Sequence, residues 1–462
     1  MKAVSEAAIR ELKNGFAGEV ILPGDAEYDE ARRIWNAMID RRPAILARCA
    51  ETGDVVRAVR AARKPGLRLA IRGGGHNIGG LALCDDGLVV DLSRMRRAQV
   101  NAPARRVTIE GGATLAELDA ATQAHGLATP VGINSTTGLA GLTLGGGFGW
   151  LSRRHGLTID NLESAEVVTA EGEVVRASAS EHPDLFWALR GGGGNFGVVT
   201  RFEYRLHPVG PEVLAGLIVY PLSDGESVLR QYGEFAAQAP DDLTVWAVLR
   251  NAPPLPFLPP AVHGTGIVAL AVFYGGDPAR GAALVEPLRK FGPLAGEHVG
   301  VQPYAAWQQA FDPLLTAGAR NYWKSHNLLR LDDRLLDAAV GAARKLPSSG
   351  SEIFLAAVGG AMSRLAQDSA AYPHREAQFV VNVHGRWDTA EEDARGISWA
   401  RAFFNATSEF AAGGAYVNFM TDDEGADRVR AAYGANYDRL ARVKRAWDPE
   451  NVFSVNQNIR PA

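Results

Sequence analysis

Apolar positions recur with two different periods along this 462-residue chain. Spacings of three and four residues over 28–39, 54–63 and 115–125 predict amphipathic helices, and short runs at 67–71, 88–92, 106–110 and 198–204 predict strands. From Val213 the texture changes. Apolar runs at 215–220, 266–272, 353–358 and 379–383 alternate with helical stretches, which predicts a second sheet with helices on one face. Side chains two apart share a face, so Phe354, Ala356 and Val358 go together, as do Phe379, Val381 and Val383. The proline-rich stretch 253–260 is either a rigid loop over a pocket or a plain surface loop. The chain reads as α+β, without internal repeats, and is long enough for two domains because single cores stop growing near roughly 250 to 300 residues.

Three glycine clusters interrupt this pattern. Arg72-Gly73-Gly74-Gly75-His76-Asn77 follows a strand-like run. Glycines lack Cβ, so a pyrophosphate can approach their N–H groups, and a neutral imidazole beside them is a competent nucleophile. This reads as a histidine placed for covalent attachment of a flavin. Alone, such a triplet is also an ordinary turn. The second cluster runs through Thr137, Gly138, Gly141, Gly145, Gly146 and Gly149 and ends in Gly156-Leu157-Thr158-Ile159-Asp160-Asn161. So much glycine weakens helix and strand alike, so close backbone approach to a large flat ligand is the better account, with Asp160 or Asn161 toward ribose or adenine. The third, Arg190-Gly191-Gly192-Gly193-Gly194-Asn195-Phe196-Gly197-Val198-Val199, has glycines at dinucleotide-fingerprint spacing, but a helix precedes it and a strand follows. That order is the reverse of a Rossmann unit.

Composition narrows the class. Hydrophobic residues at 47% and charged residues at 22% are ordinary for a globular protein, and a net charge of −4 with no basic stripe argues against nucleic acid. Two cysteines make no disulfide framework and suit a reducing compartment. No run approaches about 18 apolar residues, and the first residues lack the apolar core of a signal peptide, so no membrane association and a cytoplasmic location are expected. Metal-ligand spacing, a Gly-x-Ser-x-Gly elbow and a Gly-Lys-Ser/Thr loop are absent from the sequence.

The three clusters, with the segments at 433–440, Val443-Lys444, 447–453 and Asn456-Gln457-Asn458-Ile459, resemble the berberine-bridge-enzyme-like FAD-linked oxidases, including bacterial 6-hydroxynicotine oxidases. The resemblance runs from about Gly18 to the end. It implies a two-part FAD-binding domain of the PCMH or vanillyl-alcohol-oxidase type at 1–210 (core about 38–208) and a substrate domain at 211–415 with an antiparallel sheet covered by helices. A segment at 416–462 would return to the FAD domain. Bicovalent relatives carry a cysteine at the position of Asn134; Cys49 and Cys84 lie elsewhere, so the resemblance implies FAD held by a single histidyl bond at His76.

It further implies a cofactor site made of Arg72, Gly73, Gly74, Gly75, His76, Asn77, Thr137, Gly138, Gly141, Gly145, Gly146, Gly149, Asn161, Gly197, Val199, Asn456 and Asn458. The substrate pocket would be Phe354, Ala356, Phe379, Val381 and Phe419, largely apolar, since 353–358 carries no ionisable group. Plant relatives use the last tyrosine of a Tyr-x-Asn-Tyr segment as base; here that segment reads Tyr416-Val417-Asn418-Phe419. A base would then come from Tyr416, which strand parity points away from the flavin, or from His384 or Tyr322. The expected reaction is hydride transfer from a small, fairly apolar molecule to flavin, with oxygen as the reoxidant and the protein a monomer or homodimer. Oxygen insertion by a tailoring enzyme, or a silent flavin-binding protein, are the alternatives.

Overall fold

A strand–helix–strand succession at 45–91 makes a small, mostly parallel sheet in the computed structural model, which describes residues 6–63 and 66–462. Strand Ile45–Arg48 leads into helix Thr52–Arg63, whose buried Val55, Ala58, Val59 and Ala62 form one stripe on the sheet. Leu88–Asp91 pairs in parallel with Ile45–Arg48 on one side and Leu69–Arg72 on the other, and Glu19–Ile21 closes the edge antiparallel. A five-stranded antiparallel sheet follows, ordered Ala98–Asn101, Arg106–Glu110, Val198–Arg205, Leu162–Val168 and Val174–Ser178.

The second half is one seven-stranded antiparallel sheet, ordered Gly296–Pro303, Glu212–Pro221, Gly266–Tyr274, Leu243–Asn251, Glu352–Ala357, Phe379–Trp387 and Arg320–Leu328. Helices Gly225–Gln238, Asp333–Ala343 and Asp393–Ala406 cover one face and share a core with Ile353, Leu355, Val381 and Tyr322. The opposite face, with Trp246, Phe354 and Ala356, packs toward Phe148, Trp150 and Tyr416 from the glycine-rich half. The chain then crosses back. Helices Ala426–Tyr433 and Tyr437–Trp447 bury Val429, Tyr433 and Leu440 in the core that holds Leu185 and Phe186 of helix Pro183–Leu189.

The helix expected over 28–39 stops at Ala31. Tertiary partners take the backbone beyond it: Trp35 N–H donates to Gly75, Ala37 N–H to Ala319, and the Asn36 amide to Ile78 and Asn321 carbonyls. These bonds tie the first glycine turn to the large sheet, which periodicity could not reveal. Among the described residues, no helix is long and apolar enough to cross a membrane.

Candidate functional site

A cavity runs between the glycine clusters and one face of the large sheet. Its cradle is backbone: Gly73, Gly74, Gly75, His76 and Asn77 from the first turn, Thr137, Gly138 and Gly141 from the second cluster, and Gly193, Gly194, Gly197 and Val199 from the third. A Cβ on Gly74 would lie 2.3 Å from the Gly138 nitrogen, so two backbones meet where no side chain fits. Gly141 and Gly194 are different. An added Cβ there meets nothing within 4 Å, so their smoothness serves the cavity and not the packing.

The third cluster is fastened from the C-terminal side. Lys444, wholly buried, donates to the Asn195 carbonyl (2.7 Å), the Phe453 carbonyl (2.9 Å) and Asp448 (2.6 Å). The Asn195 side chain donates to Gly192 and accepts from Ile459 N–H, and Asn456 donates to Gly194 at 3.0 Å. Asn456 lines the cavity with its Oδ1 unpartnered.

Several expected cofactor residues have other occupations. Arg72 turns its guanidinium away from the cavity, 2.5 Å from buried Asp91 and onto the Ala31 carbonyl, which fixes the turn from behind. Asp160 is held bidentate by Arg375 at 2.7 Å, and Asn161 donates to His155 and Leu157 and meets His207, leaving neither for a ribose. Gly145, Gly146, Gly149 and Asn458 also lie off the cavity wall; a Cβ on Gly145 would strike Asn418 at 2.1 Å, and one on Gly149 the Val131 carbonyl at 1.9 Å. Their glycines answer packing demands.

His76 stands at the rim of the first turn. Its ring stacks on Trp35 with centroids 5.2 Å apart, Nε2 lies 3.0 Å from Thr136 Oγ1, and Nδ1 lies 3.5 Å from Thr137 Oγ1. Burial lowers its pKa to about 4, so the ring is neutral and nucleophilic at pH 7. Asn134 lines the same stretch of wall, its Oδ1 accepting from Thr136, while Cys49 and Cys84 are buried elsewhere.

The sheet wall is aromatic, with a polar end. Trp246, Trp323, Phe354 and Phe419 line it, and Ala356 is buried on the same face beside Trp246. Pro253 and Leu255 bring the proline-rich stretch to the cavity. Phe379 and Val381 do not reach it. The register pairs Phe354 with Asn382 and Ala356 with Val380, so the even-numbered residues of the neighbouring strand share the cavity face and Phe379 and Val381 enter the helix-side core. The same parity takes Tyr322 out: its hydroxyl donates to Asp423 (2.6 Å) and accepts from Arg401 beneath the helices, while Trp323 beside it lines the cavity.

Two corrections bear on the chemistry. The expectation of no ionisable group on the strand at 353–358 misses Glu352, which opens that strand, lines the cavity, pairs with Arg250 at 2.6 Å and has an oxygen 3.7 Å from His384 Nδ1. Tyr416 does face the cavity, because the chain at Val417–Phe419 is a 3-10 turn and not a strand. Its hydroxyl accepts from Gly147 N–H at 3.0 Å and from Asn418 at 2.9 Å, and burial pushes the phenol up to about 12. Trp35, Arg250 and Trp323 also belong to the wall, and no signal in the sequence singles them out.

Room left at Gly141 and Gly194, glycine backbone lining the cavity at 73–75 and the unpartnered Asn456 oxygen fit a long ligand with a polyanionic stretch near the glycines and polar donors near Asn456. Comparison with known proteins agrees. Residues 43–178 match the FAD binding domain family and residues 415–460 the family described as berberine and berberine like. The FAD-linked oxidoreductase YgaK of Bacillus subtilis is 32% identical over 456 residues, covering 97% of this chain and 98% of its own. (R)-6-hydroxynicotine oxidase of Paenarthrobacter nicotinovorans is 32% identical, with 96% and 97% covered. The crystal structure of 6-hydroxy-D-nicotine oxidase from Arthrobacter nicotinovorans superposes with a TM-score of 0.85 at 30% identity, covering 97% of this chain and 98% of that one.

Proposed function

The chain belongs to the berberine-bridge-enzyme-like FAD-linked oxidoreductases, and from that premise we propose that it is an oxidase whose FAD is joined by one bond, from His76, and whose sheet wall receives a small organic substrate. On this reading 1–210 is the FAD domain, 211–415 the substrate domain, and 416–462 the segment that closes the cofactor site. His76 carries the proposal: a neutral imidazole at the lip of a bare glycine turn, its ring plane set by Trp35, with no thiol on the cavity wall to make a second bond.

When bound, the flavin would supply an acceptor for hydride from a substrate carbon, with oxygen as the reoxidant. The chain does the rest. Gly73 to Gly75 and Gly194 would offer amides for the pyrophosphate, and Gly138 and Gly141 leave a flat bed. Asn456 closes the bed from the C-terminal segment. Trp246, Trp323 and Phe354 exclude water from the reacting face.

Acid precipitation tests the link. Yellow colour should stay with the precipitated wild-type protein and pass wholly to the supernatant for His76→Ala. Colour released by the wild type would remove His76 as the tether, and protein that takes up no FAD at all would sink the reading entirely.

A further inference from the structure

The polar end of the sheet wall holds two acceptors facing each other. Glu352 lies opposite Arg250 on one neighbouring strand and opposite His384 on the other. Arg250 Nη1 donates to Glu352 Oε2 at 2.6 Å, and Glu352 Oε1 lies 3.7 Å from His384 Nδ1, beyond hydrogen-bond reach. Which ring nitrogen carries the proton follows from the other side. Asn321 Nδ2 donates to the Ala319 carbonyl at 2.8 Å and Arg386 Nη1 donates to Asn321 Oδ1 at 3.2 Å, so that oxygen is an acceptor. His384 Nε2 lies 2.9 Å from the same oxygen and must be the donor, which leaves Nδ1 bare when the ring is neutral.

Burial lowers the His384 pKa despite the nearby carboxylate. Burial also pushes the Glu352 carboxyl up, but the Arg250 guanidinium at 2.6 Å outweighs it and keeps it ionised. A bare nitrogen and a carboxylate oxygen therefore aim at one spot on the cavity wall, with Trp323 set edge-on to the imidazole at 4.9 Å. Two acceptors at this separation suit an inserted hydroxyl hydrogen.

We propose that His384 is the catalytic base and that the substrate is an alcohol on an aromatic or fused-ring frame, its hydroxyl received between His384 Nδ1 and Glu352 Oε1. The substrate frame lies among Trp246, Trp323, Phe354 and Phe419. Bound FAD would supply the acceptor for the carbinol C–H electron pair, taken as hydride when that bond breaks. The O–H proton passes to His384 Nδ1, and a carbonyl forms. The imidazolium so made is stabilised by Glu352 on one side and by Asn321 on the other, Asn321 acting as a positioning residue. This rests on the FAD reading above.

The test measures recognition separately from turnover. By calorimetry, the holoprotein is titrated with 2-naphthol, which has no carbinol hydrogen to lose, and with 2-methoxynaphthalene, which lacks the donor. A hydrogen bond to a charged acceptor predicts about tenfold or more preference for the naphthol, falling toward unity in His384→Phe and Glu352→Gln while both variants keep their yellow colour. Nitrogen NMR of 15N-histidine protein should show His384, identified by its loss in His384→Phe, with Nε2 protonated and Nδ1 bare. Equal affinity of the wild type for the two probes, binding of neither, a preference that survives His384→Phe, or the opposite tautomer would each overturn the proposal. A colourless protein that still prefers the naphthol would defeat the FAD reading and leave the hydroxyl site standing.

Discussion

The cavity has two walls built on opposite principles. On the glycine side the ligand-facing surface is backbone, and what matters is the side chain that is missing: Gly141 and Gly194 have open space where a Cβ would stand. On the sheet side the surface is side chains from four different strands, Trp246, Glu352, Trp323 and His384, and what matters is register. A backbone wall binds what every member of a cofactor class shares. A side-chain wall can be rewritten residue by residue without disturbing the fold, so specificity belongs there.

The sharpest way to break this comparison is to remove what fastens the backbone wall. Lys444→Met leaves Asp448 buried without its cation and frees two carbonyls, one of them at Asn195 in the third glycine cluster. Loss of one partner of a buried pair costs about 3–5 kcal/mol, so chemical denaturation should show a drop of that order together with poor FAD retention. Unchanged stability would mean that the C-terminal segment does not hold the cluster.

The seam between the walls offers a smaller effect with a definite sign. Asp119, on helix Leu115–Gln123, is wholly buried, accepts from Gln308 Nε2 at 3.0 Å, and leaves its own Oδ1 and Gln308 Oε1 unpartnered. A proton on Oδ1 would let each group donate to the other. Burial raises this carboxyl to about 7. A raised acid contributes fully at low pH and loses its contribution as pH climbs from the ordinary carboxylate range to about 7, by up to about 4 kcal/mol at 1.36 kcal/mol per pH unit. Asp119→Asn should therefore melt above the wild type at pH 8 and match it at pH 4; an equal difference at both would show that Asp119 is ionised throughout.

Gly141→Ala separates the two uses of glycine at the smallest scale. It lies in helix Leu139–Leu144 with nothing near the added methyl, so the protein without FAD should gain up to about 1 kcal/mol from helix propensity. Binding of FAD, read in a His76→Ala background to keep it reversible, should weaken by roughly tenfold as the methyl enters the bed. Gly74→Ala, by contrast, should lose stability with or without FAD, because its methyl meets the Gly138 backbone. If both variants behaved alike, the distinction between cradle and packing glycines would fail.

These walls also differ in how much of each could be read from sequence. The first glycine turn, His76, Thr137, Gly138, Gly141 and the returning C-terminal segment were legible because a run of residues without side chains, or a local string such as Asn456-Gln457-Asn458-Ile459, states its own constraint. Glycines at 145, 146 and 149 look identical in sequence but face packing partners, and only the fold sorts them. On the sheet side each strand's alternation was legible, since 354 and 356 do share a face, but which faces of neighbouring strands coincide depends on pairing register. That is why alternation alone puts Phe379 and Val381 in the pocket and leaves out Glu352, which stands one residue before the apolar run at 353–358. Arg72 shows the same limit: its partner Asp91 is on the adjacent strand, and nothing local announces the pair.

Peptide mapping reads the central claim most directly. Proteolysis of the purified protein, followed by mass spectrometry, should find one flavin-bearing peptide, the one containing Gly73-Gly74-Gly75-His76-Asn77, with fragmentation placing the added mass on His76. An unmodified His76 peptide in fully yellow protein, or a flavin on any other residue, would contradict it.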